Sequence, residues 1–238
     1  LKNAGLLSEE LEPVGFVSTG SLALNRVISG NYVDGVPIGM ITQIGGKSST
    51  AKTVFATHIL IEAQKQGYYA ILIDSENAYN SKFAESLGID PTKLIYSAPE
   101  SVEDCFDTIE KTILSIREFD KDTPIVVAYD SIAVSPTKAE LESDNYDGHN
   151  MQGAIRAKIT GGCLRKINPM LRKYKVGLII VNQIRSKVGV IYGSPDVDAA
   201  GGNALEYYLG VNLQTVSNKT SDLLKDDLKN IIGIKGEV

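Results

Sequence analysis

Short apolar runs alternate with helical patterns along most of the chain, and the runs are rich in β-branched residues. Nearly continuous apolar runs of this kind are typical of strands buried on both faces of a sheet. We predict strands at 39–45, 68–75, 93–98, 124–131 and 176–183, with a late pair at 211–216 and 230–238. Helices are predicted at 51–66, around 81–87, at 102–117 and at 151–174. The alternation indicates an α/β fold with a mostly parallel central sheet, helices on both faces and a late antiparallel edge.

The stretch GGKSSTAKT, at 45–53, lies between the first long strand and its helix. The pattern G-x-x-x-x-G-K-[ST] binds nucleotides because its backbone N–H groups wrap a phosphate, its lysine neutralises phosphate oxygens and its hydroxyl ligates Mg²⁺. The helix N-terminus that follows also favours phosphate. We interpret the stretch as a phosphate-binding loop rather than an ordinary Gly/Ser-rich turn. Its expected phosphate-binding residues are Gly46, Lys47, Ser48, Ser49, Thr50, Ala51, Lys52 and Thr53.

Ala51 stands where the pattern has its second glycine. Residues at helix N-termini ordinarily have a negative φ, which alanine adopts without strain. We therefore expect the alanine to do little harm if its φ is negative.

Polar side chains lie at the ends of three of the predicted strands. Asp74 and Glu76 lie at the end of the second strand, Asp130 at the end of the fourth, and Gln183 at the end of the fifth. Ligands bind at the carboxyl ends of such strands. Asp130 is expected to hold Mg²⁺ with Thr53, directly or through water, and Glu76 to orient or deprotonate the water that attacks a phosphate. A single aspartate at a strand end often only forms a turn. Several polar side chains at strand ends beside a phosphate loop favour a catalytic site.

Charge is unevenly distributed along the 238 residues, whose net charge is -5. Residues 150–195 hold nine Lys or Arg and no Asp or Glu. This basic segment is either a solvated helix face or a surface for a polyanion such as nucleic acid, and charge alone does not decide. The sequence contains neither an apolar run long enough to span a membrane nor a secretory signal, so a cytosolic setting is expected.

Five stretches together resemble the RecA-type recombinases of bacteria and bacteriophages. They are STGSLALNRVISG, the phosphate loop, LIDSENAYN, VVAYDSIA, and VNQIRSKVGVIYGSP followed by AAGGNALEYY. The resemblance runs in collinear order from about Val17 to Val216. It is more specific than a phosphate loop alone, because helicases and other ATPases with the same core lack the NQIR and GGNAL segment.

The resemblance implies a DNA-stimulated ATPase that uses ATP and Mg²⁺. Such proteins form filaments on single-stranded DNA and promote homologous pairing and strand exchange with double-stranded DNA. The expected setting is the cytoplasm of a bacterium or of a phage-infected host, without a membrane partner. Residues 1–16 are expected to be a remnant of the polymerisation segment or a linker, and residues 17–238 to be the ATPase core of a longer protein.

The resemblance also assigns roles to the residues of the site. Lys52 and Thr53 bind phosphate and Mg²⁺, Glu76 is the catalytic carboxylate, and Asp130 is the Walker B aspartate. Gln183 resembles the γ-phosphate sensor that connects the nucleotide to the DNA-binding loop after it. Asn80 and Phe83 fall where the family contacts adenine and ribose.

Two loops, near 141–156 and 184–202, are expected to face DNA. The basic segment covers the helix after the first loop and the start of the second. Cations would pair with DNA phosphates and apolar side chains would lie between bases, a mode that tolerates any sequence. Either Arg156 or Lys158 takes the family's loop-end arginine position. The other expected contacts are Arg185, Lys187, Val188, Val190, Ile191, Gly201, Gly202 and Asn203. Composition alone would instead make 188–191 a small core strand.

Two positions depart from the family. Glu206 stands where family members commonly have a lysine. Asn212 lies near the position where family members commonly have an arginine at the subunit interface. Because of Ala51 and Glu206, the chain could instead be a recombination mediator that has lost ATP turnover. A hexameric motor with the same core, such as a replicative helicase, is the other alternative to the recombinase.

Overall fold

The computed structural model describes residues 13–143, 149–186, 197–199, 203–216, 223–225 and 231–234. Its helices are α1 Leu22–Ser29, α2 Lys52–Lys65, α3 Ser81–Leu87, α4 Val102–Phe119, α5 Lys138–Leu141, α6 His149–Lys173 and α7 Asn203–Glu206, with a 3₁₀ turn at Pro91–Lys93. Its strands are β1 Gly15–Val17, β2 Val36–Ile38, β3 Ile41–Gly46, β4 Tyr69–Asp74, β5 Leu94–Ser97, β6 Ile125–Asp130, β7 Val176–Ser186, β8 Val197–Ala199, β9 Leu209–Thr215, β10 Leu223–Lys225 and β11 Ile231–Ile234.

Six strands form the central sheet in the order β5-β4-β6-β7-β3-β9. Every neighbouring pair in this order is parallel, which confirms the predicted α/β fold. Antiparallel pairing occurs early in the chain, where β1 pairs with β2, and late in the chain, where β8 joins β7 and β10 pairs with β11. The two late strands that we predicted as a pair lie in different sheets, because β9 runs parallel to β3.

Apolar side chains pack on both faces of the sheet. Ile71 and Ile73 of β4 belong to one cluster, which also contains the apolar faces of α4 and α6. Ala70 and Leu72 of the same strand belong to the other cluster, with α2. Successive side chains of a strand point to opposite faces, so a strand covered on both sides is apolar at most positions. Among the described helices, none combines the length and apolarity needed to cross a membrane.

The parallel register brings the polar strand ends to one edge of the sheet. Gly46 at the end of β3 lies opposite Gln183 of β7, and Asp74 at the end of β4 lies opposite Asp130 of β6. These four residues are far apart in sequence. The pairing of the strands therefore assembles the predicted site at the carboxyl edge, as expected for an open α/β sheet.

Candidate nucleotide-binding site

A cleft of about 600 Å³ opens at the carboxyl edge of the sheet. This volume lies within the range of small-molecule sites. The cleft is lined by Ser48, Ser49, Thr50, Ala51, Lys52, Thr53, Val54, Glu76, Phe83, Asp130, Val181 and Gln183. Most of the residues predicted for nucleotide binding and hydrolysis therefore share one cavity. Gly46, Lys47 and Asn80 are outside this lining.

Gly46 allows the phosphate loop to lie against β9. A Cβ atom at Gly46 would come within 2.1 Å of Thr215 Oγ1 and 2.7 Å of Thr50 Oγ1, so no larger residue fits without movement of the backbone. Those two hydroxyl oxygens are themselves hydrogen-bonded at 2.6 Å. Thr50 also donates to the carbonyl of Lys47 at 2.8 Å. The edge strand thus fixes the base of the loop.

Ala51 has a left-handed backbone conformation, with φ 62° and ψ 22°. Our expectation that a negative φ would make the alanine harmless was therefore wrong. The side chain of a non-glycine residue in this region clashes with its own backbone, which costs ~1–2 kcal/mol. Ser49 has a similar φ of 61°. The loop keeps the shape that a glycine would favour, although its sequence has alanine at position 51.

Lys52, the first residue of α2, is buried. Its ammonium group donates to the carbonyl oxygen of Lys47 at 2.6 Å. Burial lowers the pKa of Lys52, and the nearby carboxylates of Asp130 and Glu76 oppose this shift. The side chain therefore folds back over the loop, where it can exchange the carbonyl for phosphate oxygens.

Thr53 and Asp130 bring two oxygen donors together at the base of the cleft. The Thr53 hydroxyl donates to Asp130 Oδ2 at 2.5 Å. Burial raises the pKa of Asp130 to about 6; repulsion from Glu76 and Asp74 adds to this, while the Thr53 hydrogen bond and Lys52 oppose it. A hydroxyl beside a buried carboxylate suits Mg²⁺, which prefers oxygen ligands and usually keeps water and phosphate in its shell. In the described part of the chain, no three His, Cys, Asp or Glu side chains form a metal cluster.

Glu76 accepts hydrogen bonds on one carboxylate oxygen, Oε1. Ser131 Oγ donates to it at 2.6 Å, and Gln183 Nε2 donates at 3.3 Å. The structure therefore joins the predicted catalytic carboxylate to the predicted sensor. Sequence reasoning missed Ser131, whose one local signal is its position directly after the strand-end Asp130.

Asp74 shapes the segment that carries Glu76. Its carboxylate accepts from the backbone N–H groups of Ala78 at 3.4 Å and Tyr79 at 3.0 Å. The Tyr96 hydroxyl donates to it at 3.0 Å. These bonds hold the turn after β4 in place, so Asp74 stabilises the segment that carries Glu76.

The two residues predicted to contact adenine and ribose have different positions. Phe83 is half exposed and lines the cleft. Asn80 caps α3 instead, since its side-chain oxygen accepts from the Phe83 N–H at 3.0 Å. The cap fixes the helix that presents Phe83, so Asn80 acts on the cleft through that helix.

The first predicted DNA loop falls partly outside the described residues, at 144–148, and its later part begins α6. Arg156 lies on this helix. Its Nη2 donates to the carbonyl oxygens of Ile132, Ala133 and Ser135, at distances of 2.8, 2.8 and 2.6 Å. Lys158, the alternative for the loop-end position, is exposed. Arg156 therefore anchors α6 to the turn after β6.

The second predicted DNA loop has its two ends joined. Ile184, Arg185 and Ser186 pair antiparallel with the three residues of β8. Asn203 begins α7. The remaining predicted contacts, Lys187, Val188, Val190, Ile191, Gly201 and Gly202, lie outside the described residues. Their contact with DNA stays a prediction, and so does the alternative core strand at 188–191.

Within the described residues, several cations of the basic segment have partners inside the protein. Lys166 forms an ion pair with Glu110, and Lys175 forms one with Asp122. Lys173 lies over the Tyr174 ring, 4.8 Å from its centroid. These cations belong to the carboxyl end of α6 and the turn after it, and they interact within the protein. Lys158 and Arg165 are exposed on the same helix.

Comparison with known proteins gives one consistent result. A family model described as the RecA N-terminal domain matches residues 5–238. Protein RecA of Ureaplasma parvum serovar 3 is 33% identical over 239 residues, covering 100% of this chain and 66% of that protein. Protein RecA of Desulforapulum autotrophicum is 33% identical over 97% of this chain and 62% of its own length. For Protein RecA of Anaplasma marginale the values are 36%, 93% and 57%. The chain spans less than two thirds of the length of each relative.

Proposed function

The chain belongs to the RecA family, and from this premise we propose that it is an ATP-dependent DNA recombinase. In this proposal it forms a filament on single-stranded DNA and promotes homologous pairing and strand exchange with double-stranded DNA. The observation that carries the proposal is the cleft at the carboxyl edge, where a phosphate loop meets Glu76, Asp130 and Gln183. The setting we propose is the cytoplasm of a bacterium or a phage-infected host.

ATP binds in this cleft with its phosphates on the loop at 46–53. Backbone N–H groups and the start of α2 bind the phosphates, since both favour anions. Lys52 leaves the Lys47 carbonyl for phosphate oxygens, and Phe83 packs against the base or sugar. Thr53 and Asp130 hold Mg²⁺, which when bound neutralises charge on the phosphates.

Hydrolysis is phosphoryl transfer to water, and the protein contributes positioning and electrostatics rather than a covalent intermediate. Glu76 orients the attacking water and accepts its proton. Gln183 lies beside Glu76, at 3.3 Å, and at the start of the segment proposed to bind DNA. A nucleotide in the cleft and DNA on that segment therefore act on the same side chain.

DNA contacts are proposed for the ends and interior of the second loop and for the start of α6. The exposed Lys158 and the loop residues Arg185 and Lys187 pair with phosphates, while Val188, Val190 and Ile191 contact bases. In the proposed filament, subunits assemble head to tail. Head-to-tail contacts are heterologous, and they generate a helical filament when the rotation between subunits does not close into a ring.

One observation favours a second candidate, a recombination mediator with weakened turnover. The left-handed Ala51 makes the phosphate loop more costly to form than a glycine would. A mediator would bind ATP and DNA but hydrolyse ATP slowly whether or not DNA is present.

The proposed function is tested by ATP hydrolysis with and without single-stranded DNA. We expect wild-type hydrolysis to rise with DNA, and Glu76→Gln to abolish it while ATP still binds. Glu85→Gln, an exposed glutamate on α3, is the matched control and keeps wild-type activity. Hydrolysis by Glu76→Gln at the wild-type rate would reject Glu76 as the base. Slow hydrolysis by the wild type that DNA does not change would favour the mediator.

A further inference from the structure

Ser131 is fully buried next to the catalytic carboxylate. Its hydroxyl donates to Glu76 Oε1 at 2.6 Å in a partly buried hydrogen bond, whereas the Gln183 amide donates to the same oxygen at 3.3 Å in a bond that is exposed to solvent. A hydrogen bond shielded from water is electrostatically stronger than an exposed one. Ser131 therefore holds the carboxylate more firmly than Gln183 does.

The backbone of Ser131 is fixed by two other serines. Ser75 donates its hydroxyl to the Ser131 carbonyl at 3.0 Å and accepts from the Ser131 N–H at 3.1 Å. Ser135 donates to the same carbonyl at 3.1 Å. Since Ser75 immediately precedes Glu76, these bonds tie the segment that carries the carboxylate to the segment that carries Ser131.

Arg156 fixes the same turn from the side of α6. Its guanidinium donates to Ile132, Ala133 and Ser135, the residues that follow Ser131. The Ser131 hydroxyl is thus presented from a rigid turn. A rigid donor sets the position of the flexible glutamate side chain, and not the reverse.

We propose that Ser131 is a positioning residue for Glu76 in ATP hydrolysis. Its hydroxyl holds Oε1, which leaves Oε2 for the attacking water. The inference rests on the proposed function, because Glu76 has this role only if ATP is hydrolysed in the cleft. Ser131 is absent from the cleft lining, so it acts on turnover rather than on nucleotide affinity. Restricting Glu76 to one rotamer raises the fraction of bound complexes that are ready to react.

The test measures DNA-stimulated ATP hydrolysis and, separately, ATP affinity. Ser131→Ala removes the donor, and Ser131→Cys keeps a similar volume with a weaker donor. Ser101→Ala removes another fully buried serine hydroxyl, the cap of α4, and is the control. We expect kcat to fall about tenfold in Ser131→Ala, equivalent to ~1.4 kcal/mol, and less in Ser131→Cys. We expect the Kd for ATP to stay within about twofold.

Three results would overturn the inference. They are an unchanged kcat in Ser131→Ala, a parallel loss of kcat and ATP affinity, or an equal loss of kcat in Ser101→Ala. If Ser131→Ala does not fold, Ser131→Cys decides, and a wild-type kcat in that variant rejects the inference. A wild-type protein that hydrolyses no ATP rejects the proposed function, and the inference with it. If the wild type hydrolyses ATP and the Ser131 variants have the same kcat as the wild type, the inference is rejected but the proposed function is not.

Discussion

Among the single residues of the cleft, Ala51 has a strained, left-handed backbone, as Ser49 also does. Its φ of 62° suits glycine better than alanine. Glycine relieves ~1–2 kcal/mol of strain in the native state, and it gives back ~0.4–1 kcal/mol through greater freedom of the unfolded chain. We therefore predict that Ala51→Gly raises the free energy of unfolding by ~0.5–1 kcal/mol.

Urea denaturation without nucleotide measures this gain. The control is Ala56→Gly, a buried position inside α2, which should lose at least ~1 kcal/mol because glycine disfavours helix interiors. If both variants lost stability equally, the left-handed conformation of Ala51 would be no burden to the protein.

Asp130 illustrates a conflict between function and stability. Burial raises its pKa from 3.8 to about 6, so between these values the native protein retains a proton that the unfolded chain has lost. The free energy of unfolding therefore falls as pH rises through this window, and the full penalty is present above it. Asparagine cannot ionise. We predict that, without Mg²⁺, Asp130→Asn is more stable than wild type at pH ~7.5 by ~1–3 kcal/mol.

The measurement is urea denaturation of both proteins without Mg²⁺ at pH ~7.5 and near pH ~4. The difference should shrink towards zero at the lower pH, where the wild-type carboxyl is mostly protonated in the native state. A stability difference that is the same at both pH values would show that Asp130 carries no desolvation penalty.

Among the helices and strands, the attachment of α6 to the central sheet depends in part on one charged side chain. Arg156 joins α6 to the turn after β6 through three hydrogen bonds. Removing the guanidinium leaves three carbonyl groups without this donor. We predict that Arg156→Ala lowers the free energy of unfolding by ~2–3 kcal/mol, because hydrogen bonds from a charged group are among the stronger ones.

Thermal and urea denaturation without DNA test this anchoring role. Lys158→Ala, an exposed cation two positions along the same helix, is the control and should change stability by less than ~0.5 kcal/mol. If Arg156→Ala were equally neutral, its three hydrogen bonds would contribute little, and a role confined to DNA would be favoured.

Local signals predicted individual elements well. The helix predicted at 81–87 matches α3, because Asn80 at its start and Gly88 at its end are both strong capping residues. Pairing between distant segments was harder to predict. The strand β9 has an ordinary apolar pattern, and nothing in that pattern indicates that it pairs with β3, about 170 residues earlier.

At the scale of the whole molecule, the sequence predicted the sheet, the helices on both faces and the position of the cleft. These follow from periodicity and from the shared edge of parallel strands. Contacts that depend on tertiary packing were not predictable in the same way. The Ser131 hydroxyl, the conformation of Ala51 and the anchoring by Arg156 are set by neighbours that are distant in sequence or by the folded loop.

The partners of the basic residues were also not predictable from the sequence, because they lie on other elements of the fold. Nine cations without a carboxylate left open either a solvated helix face or a surface for a polyanion. In the fold, Glu110 pairs with Lys166 in the second half of α6, and Asp122 pairs with Lys175 just after that helix. The cations proposed to contact DNA are Lys158 on α6 and Arg185 and Lys187 on the second loop.

ATP hydrolysis with and without single-stranded DNA, measured over a series of salt concentrations, tests most directly whether DNA stimulates the ATPase. We predict that DNA accelerates hydrolysis, and that the DNA concentration needed for half-maximal stimulation rises steeply with salt, because cations bound to phosphates release counterions. Hydrolysis at the same rate with and without DNA, or a stimulation that salt does not weaken, would contradict the proposed DNA-dependent ATPase.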